Sequence, residues 1–202
     1  MHIVKPPLWL RLLLPSLTWH RSRKEKMIYL SFDDGPVPDV TPEVLNILKK
    51  YHINATFFCV GENVRKHPEI FQRILDEGHR VGNHTHNHLK GWKTGLNEYL
   101  ENVEQCQRLI QTNLFRPPYG KCTPKQFREL AKQYEIVMWD VITYDFDQGL
   151  SAESCYQNAI RYSTNGSIVV FHDNIKAVER LFYALPKAIQ YWLAQGYTFG
   201  LL

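Results

Sequence analysis

The sequence predicts an α/β fold built on a parallel sheet, on three observations. Short apolar runs rich in β-branched and aromatic residues alternate with segments of helical period from one end of the chain to the other. The connections are only a few residues long, and clusters of acids, histidines and arginine fall just after the apolar runs. Seven such runs fit both an open doubly wound sheet and a closed barrel. A full eight-fold barrel typically takes roughly 250 residues, so a barrel in this chain would be reduced or distorted.

Met27-Ile28-Tyr29-Leu30 is the first strand, stopped by Asp33-Asp34-Gly35-Pro36, a turn that puts two carboxylates at the strand's C-terminal end. Thr41-Pro42-Glu43 then supplies a cap, a proline at the first helical position and an acid in the first turn, for a helix from Pro42 to about Tyr51. Residues 55–60 form the second strand, and Pro68 to Glu77 a helix stopped by Gly78. Arg80 to Asn83 is a short third strand. Leu96 to Ile110 carries helical spacing, and Leu114-Phe115-Arg116 is a strand ending in Pro117-Pro118-Tyr119-Gly120. A helix over 124–134, a strand over 135–139, a helix from Ser151 to about Tyr162 and a strand over 167–171 follow. A long helix from Val178 to Gln195, with Pro186 expected to kink it, and the strand Tyr197-Thr198-Phe199 complete the chain.

Charge is unevenly distributed. Residues 1–26 hold six Lys/Arg against Glu25, while the remainder holds 18 basic and 19 acidic residues, so the body lacks the basic stripe that nucleic-acid binding needs. The apolar run Leu8 to Leu14 is interrupted by Arg11 and ended by Pro15, with no small-residue cleavage site after it, which does not read as a cleaved signal peptide. It is also far shorter than the roughly 20 residues of a membrane span. Residues 1–26 are therefore expected to pack on the domain formed by 27–202, with peripheral membrane contact through 8–14 as the alternative; a cytoplasmic or peripherally membrane-associated protein is favoured. Four widely spaced cysteines with no Cys-x-x-Cys pair read as reduced thiols.

The chemistry-bearing residues keep a register. Asp33-Asp34 follow the first strand, Asn83-His84-Thr85-His86-Asn87-His88 the third, Arg116 the fourth, Asp140 and Asp145 the fifth, and His172-Asp173 the sixth. In a βα fold those ends converge on one mouth. His84 and His88, four apart, share a face if they stand on a helical turn, and with one aspartate they make a two-imidazole, one-carboxylate set for a divalent cation. Zinc suits such mixed nitrogen and oxygen ligands, and cobalt, nickel or manganese fit them too. His86 is expected to face elsewhere, Asp173 to cap a loop, and Asp140 and Asp147 to be solvated.

Ser31-Phe32-Asp33-Asp34-Gly35-Pro36, His84-Thr85-x-x-His88, Arg116-Pro117-Pro118-Tyr119-Gly120 and Ile168 to Asp173 closely resemble, in order and spacing, the motifs of the polysaccharide deacetylase family, also called nodulation-factor-deacetylase-like or carbohydrate esterase family four. The resemblance runs from about Met27 to the C-terminus. It implies a distorted (β/α) barrel of about seven parallel strands. By the same resemblance Asp33 is the catalytic base, held by Arg116; Asp34, His84 and His88 are the metal ligands; and His172 is the general acid, oriented by Asp145. Tyr119, with Pro118 beside it, would present a backbone N–H to the oxyanion, and Val170 would line the acetyl pocket. Phe146 stands where the family usually has tryptophan, keeping an aromatic groove wall without the indole N–H. The activity implied is hydrolysis of acetyl groups from N-acetylated amino sugars, in polymer, oligomer or peptidoglycan-type form, by attack of a metal-activated water. An O-acetyl sugar esterase and a non-catalytic carbohydrate-binding protein are the competing readings.

Overall fold

In the computed structural model, which describes residues 2–202, eight strands and eight helices follow one another in the order α1 (Leu8–Leu13), β1 (Met27–Asp33), α2 (Thr41–Lys50), β2 (Thr56–Cys59), α3 (Gly61–Lys66), α4 (Pro68–Asp76), β3 (Arg80–Asn83), α5 (Leu96–Ile110), β4 (Leu114–Phe115), α6 (Pro124–Leu130), β5 (Glu135–Ile136), β6 (Val141–Ile142), α7 (Ala152–Tyr162), β7 (Ser167–His172), α8 (Val178–Ala194) and β8 (Thr198–Phe199). All strand pairs are parallel, in the order β5-β4-β3-β2-β1-β7-β6, with β8 added at the start of β1. The two edge strands of that order, β5 and β6, are halves of one extended segment. It starts beside β4, where Glu135 pairs with Leu114, and ends beside β7, where Ile142 pairs with Val170. A single crossing segment therefore curls the sheet into the expected distorted barrel. The difference from the sequence reading is β6, which follows β5 after only four residues, with a bend at Asp140.

Period-2 alternation sorts the strands into two layers. Ile28, Leu30 and Phe32 of β1, Phe57 of β2 and Val169 and Phe171 of β7 face outward into a core shared with the helices. Tyr29, Phe58, Ile168 and Leu114 face inward, with Val137 and the C-terminal Leu202 filling the barrel interior beneath the mouth. Ser31 and Asp33 belong to the inner set by the same alternation. At Gly82 the interior has no room for a side chain, since a Cβ there would stand 2.5 Å from the Phe58 ring. That ring in turn lies 4.0 Å beneath the Arg116 guanidinium.

Residues 2–26 run along the segment that joins β5 to β6. Thr18 bridges Val137, His20 bridges Ser167, and Leu17 and Trp19 are buried against Ile136, Met138 and Tyr134. Arg11 stands 2.7 Å, Arg23 3.0 Å and Lys5 3.5 Å from Asp140, whose side chain is fully buried and accepts the Ser167 hydroxyl proton at 2.5 Å. The expectation that Asp140 is solvated is thus overturned, because the basic N-terminal residues supply its counter-charges. Asp147 stays at the surface, 2.7 Å from His2. The helix expected over 124–134 stops at Leu130, and Thr41 does not cap α2: its hydroxyl accepts from the Val37 N–H and donates to Asp173. Pro186 lies inside α8, which continues through it. No helix among the described residues is long and apolar enough to cross a membrane.

Candidate active site

The strand ends converge as their sequence register predicts. Asp33 and His172 are register partners at the ends of β1 and β7, and Asn83 and Phe115 pair at the ends of β3 and β4. Above them lies a cavity of about 610 Å³ whose lining includes Asp33, Asp34, His84, His88, Tyr119 and His172.

Asp33 is held by Arg116, whose Nη1 donates to its Oδ1 at 2.6 Å. Arg116 is itself fully buried and spends its other donors on the Ser31 hydroxyl and on the carbonyls of Val137 and Met138. A guanidinium fixed at that many points orients the carboxylate rather than merely neutralising it. The chain then reverses at Asp34, whose φ of 88° turns its side chain away from the strand direction, so that two adjacent acids serve one cavity. Asp173 braces this reversal. Its oxygens accept from the Gly35 N–H at 3.0 Å and the Thr41 hydroxyl at 2.5 Å, and a Cβ on Gly35 would lie 1.9 Å from Asp173 Oδ2.

Asp34, His84 and His88 bring one ligand atom each to within 4.8 Å of one another. Asp34 Oδ1 is 3.1 Å from His88 Nε2 and 3.6 Å from His84 Nε2, yet it is a buried oxygen with no aligned hydrogen-bond donor. An orphaned carboxylate oxygen facing two imidazole nitrogens is the geometry a divalent cation resolves, so the residues present fit such a group. Their surroundings prepare them for it. His84 Nδ1 is 2.7 Å from the Arg116 carbonyl, which directs Nε2 to the cavity, and burial lowers the His84 pKa to about 4, keeping the ring neutral. For Asp34, burial works toward protonation, but the His88 contact and the nearby His172 outweigh it and hold the carboxyl below its ordinary range.

The two histidines come together without a helical turn. Residues 84–90 form a loop in which Thr85 (φ 63°) and His88 (φ 55°) are left-handed. Two buried asparagines shape it, Asn83, whose role sequence reasoning missed, and Asn102, which it did not single out: Asn83 Oδ1 accepts from the Thr85 N–H, and Asn102 Oδ1 from the N–H groups of His86 and Asn87. Two more amides hold Asp34, since Asn63 donates to its carbonyl and Asn174 to its Oδ2 at 2.5 Å. An asparagine ending a strand just before a histidine pair was the available signal for Asn83; the other three come from distant segments. His86 packs against Gly61 and is not among the three clustered ligands.

His172 is oriented twice by one acid. Asp145 Oδ1 lies 2.8 Å from Nδ1 and Oδ2 accepts the His172 backbone N–H at 2.6 Å, while Arg180 anchors the Asp145 carbonyl. Burial favours a neutral ring, yet the Asp145 charge and hydrogen bond, with Asp34 and Asp33 beyond, raise the His172 pKa to about 9. Phe146 packs edge-on against that imidazole at 4.7 Å and lines the cavity. Tyr119 has a left-handed φ of 59° at the rim, its ring 4.7 Å from His88. Two residues expected on the oxyanion and substrate side, Val170 and Pro118, do not line the cavity. Val170 is fully buried one layer beneath His172 on the same face of β7, and Pro118 is buried within its turn. The apolar wall there is Ile142, the register partner of Val170 on the strand the sequence did not reveal.

Asp145→Asn keeps an acceptor for the ring N–H and removes the charge that raises the His172 pKa. Burial then prevails, the imidazolium loses its proton at lower pH, and the basic limb of the kcat/KM profile moves to lower pH by one unit or more. A profile unmoved by this substitution would separate His172 from the limb.

Residues 20–139 match the sequence profile of the polysaccharide deacetylase domain. One relative, a peptidoglycan-N-acetylglucosamine deacetylase of Bacillus cereus, is 33% identical over 190 residues, covering 91% of this chain and 89% of its own length. A second Bacillus cereus protein of the same name is 36% identical over 152 residues, 72% of this chain, and the match takes in only about half of that relative (55%). The crystal structure of the Bc1960 peptidoglycan N-acetylglucosamine deacetylase, in complex with 4-naphthalen-1-yl-N-oxidanyl-benzamide, superposes with a TM-score of 0.90 at 30% identity, over 98% of this chain and 95% of that one. By profile, by sequence and by fold, this chain belongs to the polysaccharide deacetylase family.

Proposed function

We propose that the protein is a hydrolase that removes the acetyl group from N-acetylated amino sugars of the kind found in peptidoglycan, at the cavity formed by Asp33, Asp34, His84, His88 and His172. The observation that carries this reading is an arginine-held carboxylate and a carboxylate-held imidazole standing as register partners beside a three-ligand cluster. A binding protein needs neither a base nor an acid.

Asp34, His84 and His88 would hold a divalent cation, with zinc the best match to the ligand set. Such a cation, when bound, supplies Lewis-acid polarisation of the acetyl carbonyl and eases the ionisation of water in the site. Asp33, fixed by Arg116, takes the proton from the attacking water. The backbone N–H of Tyr119 is assigned to the oxyanion, and the loss of one such donor typically costs about 3 kcal/mol of barrier. His172 enters the reaction already charged, with Asp145 keeping Nδ1 engaged so that Nε2 faces the cavity. It delivers its proton to the departing amine, which is a poor leaving group until protonated. Phe146 and Ile142 supply apolar walls for the sugar and acetyl methyl. Contact with a membrane surface through residues 8–14 is supported by Leu8, Trp9, Leu12 and Leu13, which are 66–70% exposed.

Acetate release is the direct test. Purified protein supplied with zinc is expected to liberate acetate from chitooligosaccharides and from N-acetylated glycan strands, and to stop when the metal is chelated. Release from acetylated xylan alone would establish the O-esterase instead, and sugar binding without any acetate would establish a binding protein.

A further inference from the structure

We infer that the preferred substrate is an amphiphile, an N-acetylated amino sugar whose glycosidic end carries a long alkyl or isoprenoid chain, and that the chain lies in a second cavity beside the catalytic one. This rests on the deacetylase reading above and specifies its substrate class. The second cavity, of about 1200 Å³, shares Tyr119, Gly120, Trp139 and Tyr144 with the first, so one molecule can occupy both. It is larger than the roughly 300–1,000 Å³ of ordinary ligand pockets.

Its wall chemistry discriminates between a sugar polymer and a hydrocarbon. Sugar subsites need free hydrogen-bonding groups to pair with hydroxyls, because a hydroxyl buried without a partner is costly. Here three of the six polar-tipped aromatic residues have those tips committed within the protein, while the tips of Trp9, Tyr119 and Trp139 have no hydrogen-bond partner among the described residues. Trp19 Nε1–H donates to the Leu14 carbonyl, Trp92 Nε1–H to the Cys122 carbonyl and Tyr144 O–H to the Ile3 carbonyl. Between them the surface is aliphatic or benzyl-like, with Leu10, Leu14 and Leu17 on one side and Met138 and Phe127 on the other. That aliphatic stretch of wall rewards methylene groups.

Two further features agree. Lys121 and Arg128 line the cavity and, among the described residues, neither has a carboxylate within 4.0 Å, which suits an acidic linkage between sugar and chain. At the mouth stands α1, in which no residue is buried and Leu8, Trp9, Leu12 and Leu13 are exposed, although the same segment contributes Trp9 and Leu10 to the cavity. The exposure of this helix also supports membrane contact, and it leaves that side of the cavity open to an entering hydrocarbon chain.

The test is a chain-length series, the methyl, butyl and octyl glycosides of N-acetylglucosamine, each below its critical micelle concentration. Acetate release reports on the reaction, and calorimetry of binding to the metal-loaded protein reports on the cavity. From methyl to octyl, KM and Kd are expected to fall at least tenfold, and Leu10→Ser or Phe127→Asn to blunt that gain while leaving methyl glycoside turnover unchanged. If either variant fails to fold, the wild-type series alone decides. Equal values along the series, with acetate released throughout, overturn the amphiphile and leave the deacetylase standing. A gain that follows added sugar units in chitotetraose, or that appears only with phosphatidylglycerol vesicles, also overturns it, in favour of a polymer groove or a membrane-docking face. Tight octyl binding with no acetate from any substrate overturns the reaction while retaining the cavity's preference.

Discussion

Asp33→Asn is expected to lower kcat for acetate release about a thousandfold while leaving the metal content of the protein unchanged. General-base catalysis is typically worth 10²–10⁴, and asparagine cannot take a proton although it can still accept the Arg116 hydrogen bond. Asp33 lies next to Asp34 in sequence, but β1 directs Asp33 toward Arg116 while the left-handed turn at Asp34 sends that side chain to His84 and His88. The two acids should therefore fail differently: Asp34→Asn loses the metal, and Asp33→Asn loses the base. Metal analysis of both variants beside their acetate kinetics separates the roles. His172→Ala supplies the complementary arm, since an amine leaves only when protonated and an alcohol leaves more easily, so this loss should be greater on an amide than on an ester. Residual activity above one tenth in Asp33→Asn, or loss of its metal, would remove Asp33 from the role of base.

The part of this site that was readable in advance is the part encoded locally. Asp33-Asp34-Gly35-Pro36 follows an apolar run, and a carboxylate pair at a strand's end needs only strand direction and a turn to be placed. Arg116 and His172 follow their strands by the same rule. The misses all depend on residues far apart in sequence. The shape of the histidine loop was not legible because an i, i+4 spacing carries no information about Asn102, whose amide oxygen accepts from two of its N–H groups. Ile142 was hidden because β6 has only two residues, its strand character arising from pairing with β7. The short helix α3 begins at a glycine that looked like a strand stop, and six residues are too few to display a helical period. Asp140 resembled its solvated neighbour Asp147 because nothing local to it is basic.

Asp140→Ala is expected to destabilise the fold by about 3 kcal/mol, the usual scale for leaving one side of a buried ion pair without its partner. Among its three cations, Lys5 and Arg23 keep a third of their side-chain surface in water and can be rehydrated; Arg11 is only 13% exposed and cannot. Arg11 should then account for most of the loss, and Arg11→Met in the Asp140→Ala background should restore part of the stability, whereas Arg23→Met should restore little. The pH dependence has a definite sign. Burial raises the Asp140 pKa, but the Ser167 hydrogen bond and the charges of Arg23, Lys5 and Arg11 outweigh it and set the folded value below 3.8. The contribution is therefore complete above pH 3.8 and lost as the pH falls through the folded value, so the difference between wild type and Asp140→Ala in urea denaturation should narrow on acidification. Because Asp140 also ties residues 5–23 to the segment that closes the barrel, and Leu10, Leu14 and Leu17 of that stretch wall the larger cavity, the variant should lose discrimination between octyl and methyl glycosides before it loses turnover of the methyl one. An Asp140→Ala protein within 1 kcal/mol of wild type would mean that the N-terminal segment is held by Leu17, Trp19 and the bridge to Val137 alone.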